Sequence, residues 1–222
     1  MSPRRQDQDV RVALIDAAAR LFSEAGPGAL TTRRLAAEVG TSTMAIYTHF
    51  GSMSQLIREI AKEGFSRLEQ MFAEVDKTED SVADIAFLGR LYRRHATTNH
   101  YLYSVMFGGH ALQGFALTEA DRQYGRYTLL PAIDCARRCI DDGRFRDDDP
   151  VLVAHQMWLG IHGTVTLEIG GYLIEPWSAA DCFEAQLVSL MIGAGDSLAA
   201  ARQSVAVSAE RFSKLPPPGE GA

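Results

Sequence analysis

The chain has 222 residues, of which 46% are hydrophobic, and a formal net charge of −6. This length allows one or two domains with a sizeable core, and the negative charge excludes a protein that coats nucleic acid over its whole surface. The charge is uneven, since residues 1–60 carry seven Arg and six acidic side chains, whereas the rest of the chain has a net charge of −7. A few N-terminal cations could therefore still bind DNA phosphates.

Cysteine usage and hydropathy indicate the cellular compartment. The chain has three Cys, an odd number that argues against a disulfide scaffold. The first ten residues, MSPRRQDQDV, lack the apolar segment of a secretory signal peptide, and no run of 18 apolar residues could span a membrane. We therefore expect a cytoplasmic protein without a membrane partner.

The first predicted helix covers residues 9–25. Its apolar residues recur at nearly helical spacing, at Val12, Ile15, Ala19 and Phe22. The sequence Gly-Pro-Gly at residues 26–28 ends this helix, because both residue types interrupt regular structure. The polar residues 1–8 are expected to form a disordered tail.

Two short helices joined by a tight turn are predicted next. The first covers residues 32–39, where the hydroxyl of Thr31 or Thr32 can accept a hydrogen bond from a free backbone N–H of the first turn. Gly40 is expected to end it, because glycine tolerates the left-handed backbone found at helix C-termini. Thr41 or Ser42 is then predicted to cap the second helix.

The second short helix is predicted to end near Phe50 and to have two different faces. Ile46 and Phe50 are four residues apart and would point into the core. The outer face would carry Thr43, Met44, Tyr47, Thr48 and His49. A helix–turn–helix of this kind places its second helix in the major groove of DNA.

A longer motif contains these helices and carries a family resemblance. The run A-x-x-x-G-T-S-x-x-x-I-Y-x-H-F-x-S, from Ala36 to Ser52, resembles the DNA-binding domain of the tetracycline-repressor-like (TetR) family. The resemblance covers roughly residues 10–60. It implies an all-α fold, with an N-terminal three-helix helix–turn–helix domain followed by a helical domain for ligand binding and dimerisation.

The resemblance also assigns the DNA contacts. It places Thr32, Arg33, Ser42, Thr43, Met44, Ala45, Tyr47, Thr48 and His49 at the DNA. Arg33 could donate two hydrogen bonds to a guanine, a pairing that discriminates by about 1–3 kcal/mol, or it could bind only a phosphate. This chain departs from the family at Met53, where a phosphate-binding Lys is usual, and DNA affinity could be lower as a result.

The rest of the chain is predicted to be helical as well. Ser52 would cap a long helix that reaches about residue 75. Further helices are expected at about residues 81–96, 101–108, 118–142, 149–173 and 178–201, with a kink at Pro131. About nine helices result. The predicted organisation is a DNA-binding domain at residues 9–52, a ligand-binding and dimerisation domain at residues 53–202, and a flexible tail at residues 203–222.

A second motif supports the resemblance. The sequence WLGIHGTVTLEIGG at residues 158–171 is similar to a tryptophan–histidine–glycine motif in the C-terminal domain of one TetR subgroup. The resemblance implies a pocket for a small apolar or amphipathic molecule, whose predicted lining is Tyr92, His95, Tyr103, Phe107, Tyr124, Tyr127, Trp158 and His162. Aromatic residues at helical spacing could equally be ordinary core.

Other candidate sites have weaker spacing. His155 and His162, with Glu168, could suggest a metal site, but packed histidines are the favoured interpretation because no i, i+4 pair exists. Cys135 and Cys139 are interpreted as buried apolar side chains rather than a redox pair. We expect neither a metal nor a cofactor.

Dimerisation is expected through the helices at about residues 150–171 and 178–200, paired with their two-fold copies as a four-helix bundle. The predicted contacts are Ile161, Val165, Leu187, Leu190 and Met191. The expected function is a homodimeric, ligand-responsive regulator of a palindromic DNA operator, most simply a repressor. The alternatives are a helical module that binds small molecules or proteins without DNA, and an enzyme, for which no catalytic motif is found.

Overall fold

A computed structural model describes residues 3–107 and 117–216. Within these residues the chain forms eleven α-helices and no strand, which confirms the all-α prediction. The helices are α1 (Pro3–Ala25), α2 (Thr32–Val39), α3 (Thr43–Phe50), α4 (Met53–Ala73), α5 (Ser81–Thr98), α6 (His100–Met106), α7 (Glu119–Tyr127), α8 (Leu130–Asp141), α9 (Pro150–Ile169), α10 (Ala179–Ala194) and α11 (Leu198–Ser213). None of these helices is long and apolar enough to cross a membrane.

The chain is divided into two compact units. The first unit comprises Met1–Arg67 and Asn99–Tyr127, and the second comprises Leu68–Thr98 and Thr128–Ala222. Helix α4 therefore contributes residues to both units, and α6 and α7 belong to the first. The predicted boundary between residues 52 and 53 does not coincide with this division.

The core of the first unit is built from α1, α2, α3, α4 and α6. Its fully or nearly fully buried side chains include Leu14, Ile15, Leu21, Leu35, Ile46, Leu56, Ile60, Leu102 and Val105. Ile46 and Phe50 point into this core from α3, as their spacing predicted. The opposite face of α3 is therefore left at the surface.

Local capping fixes the helix–turn–helix as the sequence predicted. The Thr31 hydroxyl accepts a hydrogen bond of 3.2 Å from the Arg34 N–H, and the Ser42 hydroxyl accepts one of 3.1 Å from the Ala45 N–H. Gly40 has a φ of 70°, which a side chain would disfavour. Thr31 and Ser42 thus fix where α2 and α3 begin, and Gly40 provides the turn between them.

The second unit is organised around α5. Every residue of α5 from Ser81 to Tyr92 is buried, because α8, α9, α10 and α11 all pack against this helix. A Cβ atom added to Gly89 would lie 2.8 Å from Ile161 Cδ1 and 3.2 Å from Leu187 Cδ2. Glycine at this position therefore allows α9 and α10 to approach α5 closely.

Two of the predicted helices are divided in the structure, which accounts for the larger number. The predicted helix at residues 118–142 is interrupted between α7 and α8, so Pro131 lies in the first turn of α8, where no helical hydrogen bond is lost. The helix predicted at residues 178–201 ends at Gly195, which has a φ of 121°. Ser197 then caps α11.

Both predicted tails are partly wrong. Residues 3–8 belong to α1, and residues 203–213 belong to α11. Residues 214–216 follow α11 without helical structure, and residues 1–2 and 217–222 lie outside the described residues.

A buried carboxylate anchors α11. Asp84 of α5 is 1% exposed and accepts hydrogen bonds from the Thr78 N–H and hydroxyl, both at 2.8 Å. Arg138 Nη1 of α8 and Arg211 Nη1 of α11 donate to the same carboxylate at 2.9 and 2.6 Å. Burial by itself would raise the pKa of Asp84, but these donors outweigh it and lower the pKa.

Arg90 of α5 forms a second set of polar contacts with α11. This buried guanidinium donates to the Ser208 hydroxyl at 2.9 Å and to the Val205 carbonyl at 3.1 Å. It also donates through Nη2 to Glu184 of α10 at 2.7 Å. Charged side chains therefore connect α5, α10 and α11 within the second unit.

Candidate functional site

The outward face of α2 and α3 carries most of the side chains predicted to contact DNA. Arg33, Ser42, Thr43, Met44, Tyr47 and Thr48 are all exposed. Met44 is 70% and Tyr47 49% exposed, although both are large and partly apolar. Side chains of this kind at the surface of a short helix are available to a partner surface.

Two hydroxyl groups on this face are already engaged. The Ser42 hydroxyl accepts from the Ala45 N–H, so its own hydrogen can still be donated. The Thr48 hydroxyl donates to the Met44 carbonyl at 3.0 Å, so its lone pairs can still accept. Ser42 is therefore suited to a phosphate oxygen, whereas Thr48 is suited to a donor such as a base amino group.

Three other predicted contact residues are only half exposed. Thr32 opens α2, Ala45 lies in the first turn of α3, and His49 lies in the last turn. The His49 ring is tilted against the Phe50 ring, with centroids 5.9 Å apart. Packing thus orients His49, and only part of its ring remains accessible.

Most arginines of the first unit are held by carboxylates. Arg11 pairs with Glu59 at 2.5 Å, and Arg67 pairs with Asp16 at 3.0 Å. Arg20 similarly pairs with Glu38.

Arg33 and Arg34 differ from these paired arginines. Both are exposed, and neither makes an ion pair among the described residues. They are cations of the first unit available for phosphate or guanine. Arg34 was not among the predicted DNA contacts, although its position beside Arg33 in the first turn of α2 was a signal.

Met53, the position at which the family resemblance implies a lysine, contacts the core of the first unit. Its side chain is half buried and packs against the hydrophobic core of the first unit. Ser52 caps α4 by accepting from the Gln55 N–H at 3.1 Å. The N-terminus of α4 is thus formed without a side-chain cation.

The residues predicted to bind a ligand are divided between the two units of the chain. In the second unit, the Tyr92 hydroxyl lies 2.9 Å from His162 Nδ1 and accepts from Trp158 Nε1–H at 3.3 Å. The Trp158 and His162 rings are 5.4 Å apart. Burial lowers the pKa of His162, which keeps this ring neutral at pH 7. His95 is buried in the same unit.

The other four predicted ligand residues lie in the first unit. The Tyr103 and Phe107 rings pack edge to face at 5.1 Å, and Phe107 packs against Phe65 at 5.6 Å. Tyr124 is half buried and Tyr127 is exposed on α7. Tyr103 and Phe107 therefore belong to an aromatic cluster with Phe65, and a ligand role for these four residues stays a prediction.

Polar residues of the second motif have structural partners. Glu168 forms a bidentate ion pair with Arg93, with N–O distances of 2.7 and 2.8 Å. The Arg93 guanidinium lies 4.8 Å from the centroid of the Phe183 ring.

The two cysteines of α8 are buried. Burial raises the pKa of Cys135 to about 11 and of Cys139 to about 12. Both thiols therefore remain protonated and behave as apolar side chains.

The predicted dimer contacts require a correction. Ile161, Val165, Leu187 and Met191 are buried inside the second unit, and Leu190 is half buried, so four of the five have no surface to offer a second copy. The apolar side chains that α9 and α10 expose are instead Val151, Leu152, Leu159, Leu167, Ile169 and Ile192. Both helices are apolar on several sides, so their sequences do not indicate which face is buried in the unit.

Comparison with known proteins agrees with this architecture. Residues 14–60 match the family model of bacterial regulatory proteins of the tetR family, and residues 85–190 match the tetracyclin repressor-like C-terminal domain. Together these segments cover more than half of the chain. Neither match establishes the tryptophan–histidine–glycine subgroup, which stays a prediction. No curated protein matches the chain.

Solved structures share the fold. A protein with unknown function from Rhodococcus sp. RHA1 is 23% identical over 84% of this chain and 96% of that chain, with a TM-score of 0.69. The TetR family transcriptional regulator PfmR from Thermus thermophilus is 20% identical over 83% and 99%, with a TM-score of 0.61. A γ-butyrolactone receptor, an ArpA-like protein, is 19% identical over 95% and 100%, with a TM-score of 0.62.

Two family models thus match the two parts of the chain, and the first covers the α2–α3 face described above. The chain belongs to the TetR family of bacterial transcriptional regulators, whose members bind DNA through this helix–turn–helix.

Proposed function

We propose that the chain is a homodimeric repressor that binds a palindromic operator and is released by a small apolar or amphipathic effector. The observation that carries the proposal is the α2–α3 face, where exposed Arg33 makes no ion pair among the described residues. A guanidinium in this position gains a partner when DNA binds. Symmetry gives two such faces in one dimer, which fits a palindrome.

The exposed residues divide into base and phosphate contacts. Arg33 can bind guanine O6 and N7, and Thr43 and Met44 lie at the start of α3, the end closest to the bases in this docking geometry. Ala45 can join Met44 in apolar contact with a base, and Thr48 can accept from a base amino group. The phosphate contacts would come from Thr32, Ser42 and the polar ring groups of Tyr47 and His49. About half or more of protein–DNA hydrogen bonds go to the backbone, so this division is expected.

The effector would bind in the second unit. Tyr92, Trp158 and His162 combine aromatic surface with connected polar groups, which suits a small molecule that has an apolar body and one hydrogen-bonding group. One solved structure of this fold is named a γ-butyrolactone receptor, and a lactone has this chemistry. Helix α4 contributes residues to both units, so it can transmit the change in conformation.

Release follows if the effector prefers the conformation that binds DNA less well. A ligand shifts an equilibrium only by its difference in affinity for the two states. The test is the fluorescence anisotropy of a labelled duplex from the region upstream of the chain's own gene, at moderate salt. The duplex is titrated with protein, and small lactones and phenols are then added.

We expect specific binding of the duplex and its loss with at least one compound that also raises the melting temperature of the protein. A compound that stabilises the protein but leaves operator affinity unchanged contradicts the switch. A protein that binds no duplex contradicts DNA binding itself and favours a helical module that acts without DNA.

A Met53→Lys variant should bind the operator more tightly. The new ammonium group can reach a phosphate while its stem keeps the packing of Met53 on the core. One additional phosphate contact steepens the dependence of log affinity on log salt concentration by about 0.9. Anisotropy titrations at several salt concentrations measure this slope.

Met53→Leu is the matched control for that variant, because it keeps an apolar side chain and adds no charge. Its slope should equal that of the wild type. An unchanged slope in Met53→Lys would show that residue 53 does not lie near a phosphate.

A further inference from the structure

The loop between α9 and α10 exposes an unusual amount of apolar surface. Tyr172, Ile174 and Trp177 are 75%, 72% and 69% exposed, and among the large apolar side chains of the described residues only Met44 has a comparable value. We call residues 171–177 the arm. Three large side chains at the surface within six residues mark a contact site for a partner.

The arm has a defined backbone conformation. The Tyr172 N–H donates to the Leu167 carbonyl at 3.0 Å, and the Trp177 N–H donates to the Ile174 carbonyl at 3.2 Å. A Cβ added to Gly170 would lie 2.9 Å from the Tyr172 ring, so this ring rests against the backbone of Gly170. The apolar side chains are thus presented by hydrogen-bonded turns rather than by an irregular strand of chain.

The arm continues a nearly charge-free surface of the second unit. The only charged residue of α9 is Glu168, which is bound to Arg93, and α10 carries only Asp181 and the Arg90-bound Glu184. Leu159 and Leu167 are exposed apolar side chains of α9, and Leu167 lies in its last turn, next to the arm. The arm adds one exposed carboxylate, Glu175. Charged residues make up 23% of the chain but only three of the 36 residues of α9 and α10, and this scarcity indicates a surface that is covered.

The same helix pair offers a complementary surface at its other end. The two helices run antiparallel, since Gly160 packs against Leu190, whereas Glu168 binds Arg93, which lies over Phe183. The end opposite the arm carries three exposed apolar side chains of the helix pair, Val151, Leu152 and Ile192. A two-fold axis perpendicular to the two helices would place the arm of each copy at this end of the other copy.

The area also favours a contribution from the arm. Helices of 20 and 16 residues are about 30 and 24 Å long, and side by side they present a face on the order of 500 Å². A standard interface buries about 800 Å² on each partner. The three large side chains of the arm extend the helical face towards that size.

We propose that the arm packs against the second unit of another copy of this chain and forms part of the dimer interface. The inference rests on the proposed homodimer and adds a contact outside the helix pair. Trp177 is the central anchor, because a buried tryptophan is a frequent centre of binding energy in interfaces.

Sedimentation velocity of the full chain tests the arm. In a Tyr172→Ser/Ile174→Ser/Trp177→Ser variant we expect the dimer Kd to rise roughly 100-fold, because two arms are lost per dimer. The matched control is Leu130→Ser/Val207→Ser, which removes exposed apolar side chains elsewhere in the second unit and should leave the Kd unchanged. Wild-type far-UV circular dichroism spectra in the absence of urea establish that both variants fold.

Tryptophan fluorescence gives an independent measurement. The chain has two Trp, so a Trp158→Phe variant reports on Trp177. Its emission should shift to longer wavelength on dilution below the Kd, as Trp177 becomes exposed to water. A wild-type protein that stays monomeric contradicts the proposed dimer. A dimer with an unchanged Kd in the arm variant, or with Trp177 still exposed to water, overturns the arm contact and leaves the dimer intact.

Discussion

The free energy of unfolding of an Asp84→Asn variant is expected to be about 3 kcal/mol lower than that of the wild type. The substitution keeps the size of the side chain but removes the charge that pairs with Arg138 and Arg211. Both guanidinium groups are partly covered, and each would lose its carboxylate partner. Urea titration followed by far-UV circular dichroism measures the difference.

The control for that variant is Asp134→Asn. Asp134 pairs with Lys77 at 2.7 Å, but both side chains are exposed, so the loss should be below about 1 kcal/mol. Equal losses in the two variants would contradict a special role for the buried carboxylate.

The pH dependence of stability provides a second check on Asp84. Its pKa is lower in the folded state than in the unfolded chain, so its stabilising contribution is present above the unfolded value and is lost as pH falls through the folded value. The wild type should therefore lose more stability than Asp84→Asn on acidification below about pH 4.

An Arg33→Ala variant is expected to lose about 1–3 kcal/mol of operator binding if the side chain contacts a guanine. The loss should depend on the base pair at one position in each half-site, and substitution of that base pair in the wild-type complex should reproduce it. A phosphate contact would instead weaken binding equally for all sequences and reduce the salt slope by about 1. Anisotropy titrations with operator and scrambled duplexes distinguish the two roles.

Arg137→Ala is the matched control, since Arg137 is an exposed arginine on α8 of the second unit. It should leave affinity and salt slope unchanged. If Arg33→Ala also leaves both unchanged, the proposed docking of α2 and α3 on DNA is wrong.

The helix–turn–helix was predictable because its determinants are local. Thr31 and Ser42 each accept a hydrogen bond from the residue three positions ahead, and Gly40 supplies the left-handed turn between them. Such interactions appear in any short window of sequence. The exposed face of α3 follows directly from the inward spacing of Ile46 and Phe50.

Helix α11 was missed because long-range polar contacts hold it. The Arg90–Ser208 and Asp84–Arg211 hydrogen bonds join residues 118 and 127 positions apart. Its sequence does have a local start signal, the cap Ser197 after Gly195, but the helix that follows has only a narrow buried stripe. A periodicity argument therefore favoured an end near residue 201.

The inward faces of α9 and α10 could not be assigned from their own sequences. Both helices carry apolar residues on most sides, so their periodicity does not distinguish core from partner surface. The choice is made by α5, where Gly89 leaves space for Ile161 and Leu187. A contact from another helix thus decides which residues of α9 and α10 stay exposed and are available to the proposed dimer.

Helix α11 lies outside both segments that match the family models, which end at residue 190. Biosensor engineering often transplants an effector module from one regulator to another. A graft cut at residue 190 would separate Asp84 from Arg211, and Arg90 from Ser208. A working chimera of this protein would have to retain the sequence through at least Ser213, whatever promoter-recognition element is fused in front of it.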